Sequence, residues 1–366
     1  MNTSTIANST PHCYTINNPP FEYVPTIASA YFSCIFSALG LTSNLIAFIV
    51  LVKSFRRTHS RSRSSFLIFL GSLVVTDFMG IFVTGSIVVS FHVTHFNWRL
   101  LDPSCHFCNF MGMSMVFYGL CPLLLGAAMA VERFIGINHP FAHSNLPKGR
   151  AICMVLGVWL MAGCISMLPV AGVGSYHMQM PGSWCFLNIS SEGDDLVFSL
   201  IFSLVGLFSI AMSFLLNTVS VVTLVKVCCG QNRLQRRRDH EVEMMVQLIL
   251  IMVIASICWC PFLIYILKSA VTSAPVTGES IVFCLRMASC NQIFDPWIYI
   301  MCQVNKLRAL LLKLWRRESR SRSDTSCCGC DSQHGIRSWT PGYTSSFAER
   351  CYDDSSPALT GHVVLS

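Results

Sequence analysis

A cation and an anion nine residues apart share one apolar run, Leu285 to Tyr299, that is long enough to belong in a bilayer. An ionisable side chain at such depth costs a few kcal/mol by insertion scales, so Arg286 and Asp295 are read as functional groups, each needing its own partner. On a helix they stand about 13 Å apart along the axis, too far for a salt bridge with each other. Arg286 lies near one end of the run, with Asp295 far below it. A guanidinium offers a planar fork of donors, and a carboxylate matches it with two parallel hydrogen bonds. Asp77 is a third charge in an apolar run. It is either protonated and silent or shares a hydrogen-bonded or ion-binding core with Asp295. A fourth group is Glu132-Arg133-Phe134, which closes an apolar run at the other face. Glu241 opens another run at matching depth. Arg133 there either snorkels to water or pairs with Glu132 and Glu241.

The elements that must position these groups follow from composition. Of 366 residues 53% are hydrophobic and only 12% charged, about half the charge of an ordinary soluble domain. Seven runs are long enough to cross a membrane: 26–52, 65–91, 105–131, 150–172, 195–225, 243–267 and 280–302. The expected fold is therefore an all-α membrane protein, a seven-transmembrane-helix bundle over 26–303. Residues 1–25 form an outer segment, 304–317 a short amphipathic eighth helix on the membrane surface, and 318–366 a disordered tail rich in Ser, Asp and Arg. Met1 to Asn18 has no basic or apolar region, so the first span is expected to serve as its own insertion signal. Pro261, two residues after Trp259, removes a backbone hydrogen bond and predicts a kink in span six.

Lys and Arg set the orientation. Lys53, Arg56, Arg57, Arg61 and Arg63 follow span one, and Arg233 and Arg236 to Arg238 precede span six, whereas residues 1–52 hold neither Lys nor Arg. The N terminus is expected outside. Three glycosylation tripeptides, at Asn2, Asn8 and Asn188, fall on that side. The net charge of +7 is then a topology signal and gives no reason to expect nucleic acid. Cys105 and Cys108 form a C-x-x-C at the outer start of span three. An oxidising compartment favours disulfides there over zinc or redox chemistry, with Cys13 and Cys185 as the other outer cysteines. Four cysteines allow three pairings, which spacing alone leaves open. Pro181-Gly182 marks a turn before Ser183-Trp184-Cys185-Phe186. Either it is an ordinary exposed turn or, with Cys185 bridged, a lid over the outer mouth. Cys327 and Cys328 are candidates for palmitoylation.

Asn44, Asp77, Glu132-Arg133-Phe134, Trp159, Cys258-Trp259-Cys260-Pro261 and Asp295-Pro296-Trp297-Ile298-Tyr299 appear in order, one motif per span. Together they resemble the rhodopsin-like (class A) G-protein-coupled receptors. The Gly-Ser-Trp-Cys-Phe loop and Arg286 resemble the prostanoid receptors within that class. Pro122 to Ala130 and Glu241 to Met245 resemble their thromboxane branch. The resemblance implies a receptor for a prostanoid acid, a heterotrimeric G protein of the Gq class and no cofactor or metal. It implies that Arg286 binds the ligand carboxylate, with Thr84, His92, Ser183, Trp184 and Leu285 also in contact. It implies Cys108–Cys185 and Cys13–Cys105 bridges. Asp77, Glu132, Arg133, Glu241, Trp259, Pro261, Asp295, Pro296 and Tyr299 become the activation switch, and the Ser-rich tail becomes an arrestin platform. The walls around the acyl chains are expected from Leu285, Met113, Trp259 and Trp184.

Departures from the class carry information. Span three has no acid between Met113 and Phe117, which argues against an amine ligand. Span five has neither proline nor tyrosine, and Pro122 stands where a small polar sodium ligand is common. No internal repeat suggests a transporter. No span offers a nucleophile beside a base, so an enzyme is not expected.

Overall fold

The computed structural model describes residues 12–14, 30–58, 60–138, 148–230, 235–274 and 276–327, with backbone alone for 61, 148, 227–230, 235–241 and 305–327. The apolar runs fold as helices: α1 (Ala30–Arg56), α2 (Arg61–Gly80), α3 (Ser86–Thr94), a short α4 (Trp98–Leu101), α5 (His106–Asn138), α6 (Lys148–Ser166), α7 (Gly193–Gly230), α8 (Gln235–Thr272) and α9 (Gly278–Cys327). A π turn, Ile81–Gly85, joins α2 to α3, so the two form one span. Among the described residues six helical spans are long and apolar enough to cross a membrane. The seventh is the first part of α9, less apolar because it carries Arg286, Asn291, Gln292 and Asp295. α5 is the central helix, packed against α2, α6, α7 and α8.

Several helices run past the expected spans, α5 to Asn138, α7 to Gly230 and α8 from Gln235 to Thr272, and two further boundaries differ in kind. Span four ends at Ser166, short of the expected 172. Pro169 cannot continue a helix, and a 3-10 turn (Leu168–Ala171) closes on Gly172 at φ 92°, a left-handed conformation suited to glycine. Beyond span seven, residues 318–327 are helical where an irregular tail was expected. Seven of these ten residues are weaker helix formers, but extending an existing helix needs no new nucleus. The surface helix expected over 304–317 lies within α9, and the orientation of its side chains from 305 on falls outside what is described. Among the described residues, those up to 309 make one compact unit and those from 310 on a second.

No strand was expected, yet two strands cap the bundle. β1 (Tyr176–Gln179) and β2 (Trp184–Leu187) pair antiparallel, with Gln179 opposite Trp184. The four-residue connection turns through Gly182 at φ 91°. The Trp184 indole N–H donates to the Met180 carbonyl at 3.0 Å. All eight strand residues are buried, so the hairpin is a plug and not an exposed turn. Its disulfide Cys108–Cys185 ties β2 to the first turn of α5, and Cys13–Cys105 ties the N-terminal segment beside it.

Close approach of hairpin and α5 requires Gly112. A Cβ there would lie 2.6 Å from Cγ of Tyr176. That ring is held in place: its hydroxyl donates to the Ser166 carbonyl at 2.6 Å, and it packs T-shaped against Phe198 with ring centroids 5.7 Å apart. Gly112→Ala should therefore cost about 1–3 kcal/mol through overpacking. Thermal unfolding of the purified protein should show a lowered midpoint, and an unchanged one would mean the hairpin yields.

Candidate ligand-binding site

Beneath the hairpin lies a cavity of about 800 Å³, counting its open mouth. Arg286, Thr84, His92, Ser183, Trp184 and Leu285 all line it. They arrive from four elements, and local structure explains each. The π turn widens one turn of span two and sets Thr84 toward the cavity, its hydroxyl bonded back to the Gly80 carbonyl at 2.7 Å. α3 then carries His92 on the same wall, one turn above Val88. The hairpin turn lowers Ser183 and Trp184 as a roof. α9 presents Leu285 and Arg286.

The other walls include residues the sequence did not single out. α1 contributes Phe32, Ser33, Phe36 and Ser37, and the Arg286 guanidinium lies 4.8 Å from the Phe32 ring centroid, a cation–π contact. From α5 the wall residues are Met111 and Met115, not the expected Met113. Positions four apart share a helix face, and Met113 is turned off it. Trp259 does not line the cavity either. It is buried lower, against Gly119, and reaches the roof through an aromatic chain: Trp259 to Phe262 at 6.2 Å, then Phe262 to Phe186 of β2 at 5.5 Å. Polar groups at the cavity floor are Ser289 and Gln292.

The roof is held from the N-terminal side. Tyr14 is buried, and its hydroxyl donates to the Asp102 carbonyl at 3.1 Å and carboxylate at 3.2 Å. Burial pushes the Tyr14 phenol up, with the Asp102 charge and hydrogen bond adding to it, so it remains a donor at physiological pH. Burial likewise raises the Tyr176 phenol. Asn188 is half-buried, and its amide N–H, the atom a glycan would occupy, donates to Asp195 at 2.7 Å. Asn2 and Asn8 lie outside the described residues.

Lower in the bundle, Asp77 and Asp295 are fully buried within electrostatic reach of each other. Asn291 donates to Asp295 at 2.8 Å, and neither Asp77 oxygen accepts a hydrogen bond among the described residues. Asn44 bridges α1 to α9 by donating to the Gln292 carbonyl at 2.9 Å. Pro261 and Pro296 are carried inside unbroken helices, and Tyr299 is buried. At the other end Arg133 is buried and bonds Glu132 at 2.6 Å through Nε. Its Nη atoms donate to the Ser62 hydroxyl at 2.8 Å and carbonyl at 2.9 Å, and Phe66 lies 5.7 Å from its Cζ. Ser62 is a partner that spacing did not suggest. The side chain of Glu241 lies outside the described residues.

The sequence profile of the seven-transmembrane receptors (rhodopsin family) matches residues 44–299. The chain belongs to that family. It is 48% identical to the thromboxane A2 receptor of Bos taurus over 330 residues, covering 87% of this chain and 95% of the relative. Identity to the Homo sapiens thromboxane A2 receptor is 46%, over 83% of this chain and 92% of that one. The prostaglandin F2-alpha receptor of Mus musculus is 39% identical over 82% and 81%. These similarities place the receptor among the prostanoid receptors. Squid rhodopsin shares the fold with a TM-score of 0.64 at 20% identity, over 78% of this chain and 81% of that one. The molecule is a multi-pass membrane receptor and not an enzyme.

Replacing Cys185 by Ser unlinks the roof from α5. Losing a native disulfide typically costs about 2–5 kcal/mol. The Cys185→Ser receptor should show lower surface expression and a lower melting temperature. Peptide mapping without reduction, with either Cys108 or Cys185 found as a free thiol in the folded protein, would remove the basis for that expectation.

Proposed function

We propose that this receptor binds a prostanoid lipid acid, thromboxane being the first candidate, and signals through a Gq-class heterotrimeric G protein to phospholipase C and calcium. The observation that carries this reading is the meeting of Arg286 with Thr84, His92, Ser183, Trp184 and Leu285 on one cavity. A guanidinium on an otherwise largely apolar wall suits a ligand with one carboxylate and long hydrocarbon chains. Arg286 takes the carboxylate, and Phe36, Val88, Met111 and Met115 flank the chains. Relatives named for thromboxane A2 and prostaglandin F2-alpha support the ligand class.

The same proposal sets the N terminus outside, with Asn2, Asn8 and Asn188 as glycosylation candidates. Support comes from the Lys and Arg distribution and from the two disulfides at the roofed end, since disulfides persist in oxidising surroundings. Inside, the tail from 318 on offers serines for arrestin. Ligand binding shifts a pre-existing equilibrium toward a state open at the inner end. Arg133 holds the closed state through Glu132 and Ser62, and through Glu241 in the resting receptor.

A calcium assay in transfected cells against a prostanoid panel tests the ligand class, and a prostaglandin ranked first would move the assignment within the family. Losing one partner of a buried charge pair costs about 2–5 kcal/mol, roughly 30- to several-thousand-fold in affinity. Arg286→Gln should lose that much for the free acid and far less for its methyl ester. Equal losses at matched surface expression would mean that Arg286 only supports the fold. For the inner end, Ser62→Ala removes one hydroxyl acceptor from Arg133. Basal calcium signalling should rise about fivefold for each ~1 kcal/mol lost, and unchanged basal signalling would separate Arg133 from the resting lock.

A further inference from the structure

Asp102 lies between α4 and α5, and its bonds run to four different places. Its N–H closes α4 on the Trp98 carbonyl at 2.8 Å. Its own carbonyl accepts from the Cys105 N–H at 3.3 Å and from the Tyr14 hydroxyl at 3.1 Å. The carboxylate accepts from the same hydroxyl at 3.2 Å and from the Cys108 N–H at 2.9 Å. That last N–H belongs to the first turn of α5, where backbone donors lack helical partners and negative charge is favourable. Asp102 is 5% exposed, so its carboxylate is largely shielded from water. Cys105 is held beside it in a left-handed conformation, φ 61°, which a non-glycine residue adopts only when its surroundings impose it.

The neighbours of these partners are the two disulfides. Tyr14 follows Cys13, which bridges to Cys105, and Cys108 bridges to Cys185, next to Trp184 in the roof. A third contact joins the N-terminal segment directly to the hairpin, His12 to His177 with ring centroids 4.7 Å apart. A disulfide fixes a separation but leaves torsional freedom. A joint that bonds Tyr14, the residue after Cys13 in the N-terminal strap, and the N–H of Cys108 itself removes that swivel.

We propose that Asp102 is the positioning residue of the lid. It fastens the strap at Tyr14 to the first turn of α5, and through Cys108–Cys185 it holds Ser183 and Trp184 at one height over the cavity. The role of the lid in ligand retention rests on the proposed function above, whereas the mechanical coupling does not. The joint therefore acts on how long a ligand stays, not on which ligand binds.

The test is hydrogen exchange of lid amides 176–187 in purified full-length receptor without ligand, for Tyr14→Phe, Asp102→Asn and the double variant. Tyr14→Phe removes a single hydroxyl and keeps the ring packed, so it remains informative if Asp102→Asn folds poorly. Each single variant should speed lid exchange about three- to tenfold. The double should be no faster than the faster single, because one joint can be lost only once. Unchanged lid exchange, multiplicative effects, or equal acceleration in remote α6 would overturn the proposal. As a second readout, a tritiated prostanoid acid active on the wild type should dissociate faster from both variants, with the acid-over-ester preference retained. Faster lid exchange in a receptor that binds no prostanoid would support the joint while refuting the ligand assignment.

Discussion

A guanidinium inside an apolar bundle is the constraint on which the outer half of the receptor depends. Arg286 stands on a wall with Phe32 at its face, in a cavity that is roofed yet open at its mouth. A hairpin with every strand residue buried roofs the cavity, and α1 lends an aromatic side. Excluding water strengthens a charge–charge contact several-fold relative to an exposed one, by lowering the local dielectric. The roof is thus electrostatic equipment as well as a steric cover. Its rigidity matters for the same reason: a gap that admits water weakens every polar contact below it.

The inner end meets the same problem with an opposite solution. Arg133 is enclosed by its own chain, with Glu132, both oxygens of Ser62 and the Phe66 ring around it. One arginine borders a cavity, and the other is packed into α2 and α5. Between them runs the aromatic chain from Phe186 through Phe262 to Trp259, which abuts the central helix at Gly119. Small residues decide where such chains touch, because a missing Cβ is what lets a ring approach a backbone.

Much of this was legible in the sequence because it is local or motif-borne. Apolar runs gave the spans, and the ordered motifs brought the six cavity residues into view through family resemblance. What stayed hidden depends on which neighbour a face meets. Periodicity says that α5 has an inward face but not that Met111 and Met115, rather than Met113, look into the cavity. Nothing in Tyr14 or Asp102 announces a bond across 88 positions. The hairpin escaped because its strands are four residues each and buried on both sides, so they show no alternation to detect. Span four was read too long because Leu168 to Gly172 is apolar enough to pass for helix, although Pro169 breaks it. Ser62 stayed hidden because its bond to Arg133 spans 71 positions between two helices.

The π turn at Ile81–Gly85 fits one more residue into a turn than an α-helix does. Helical residues advance by about 100° each, so that surplus rotates everything above it by roughly a quarter-turn relative to a regular continuation. Val88 and His92 look inward only because of this phase shift. Loss of Phe82 or Val83, neither of which lines the cavity, would restore regular winding and swing that wall toward lipid. Insertions and deletions, more than substitutions, are therefore the economical way for this scaffold to exchange one cavity wall for another.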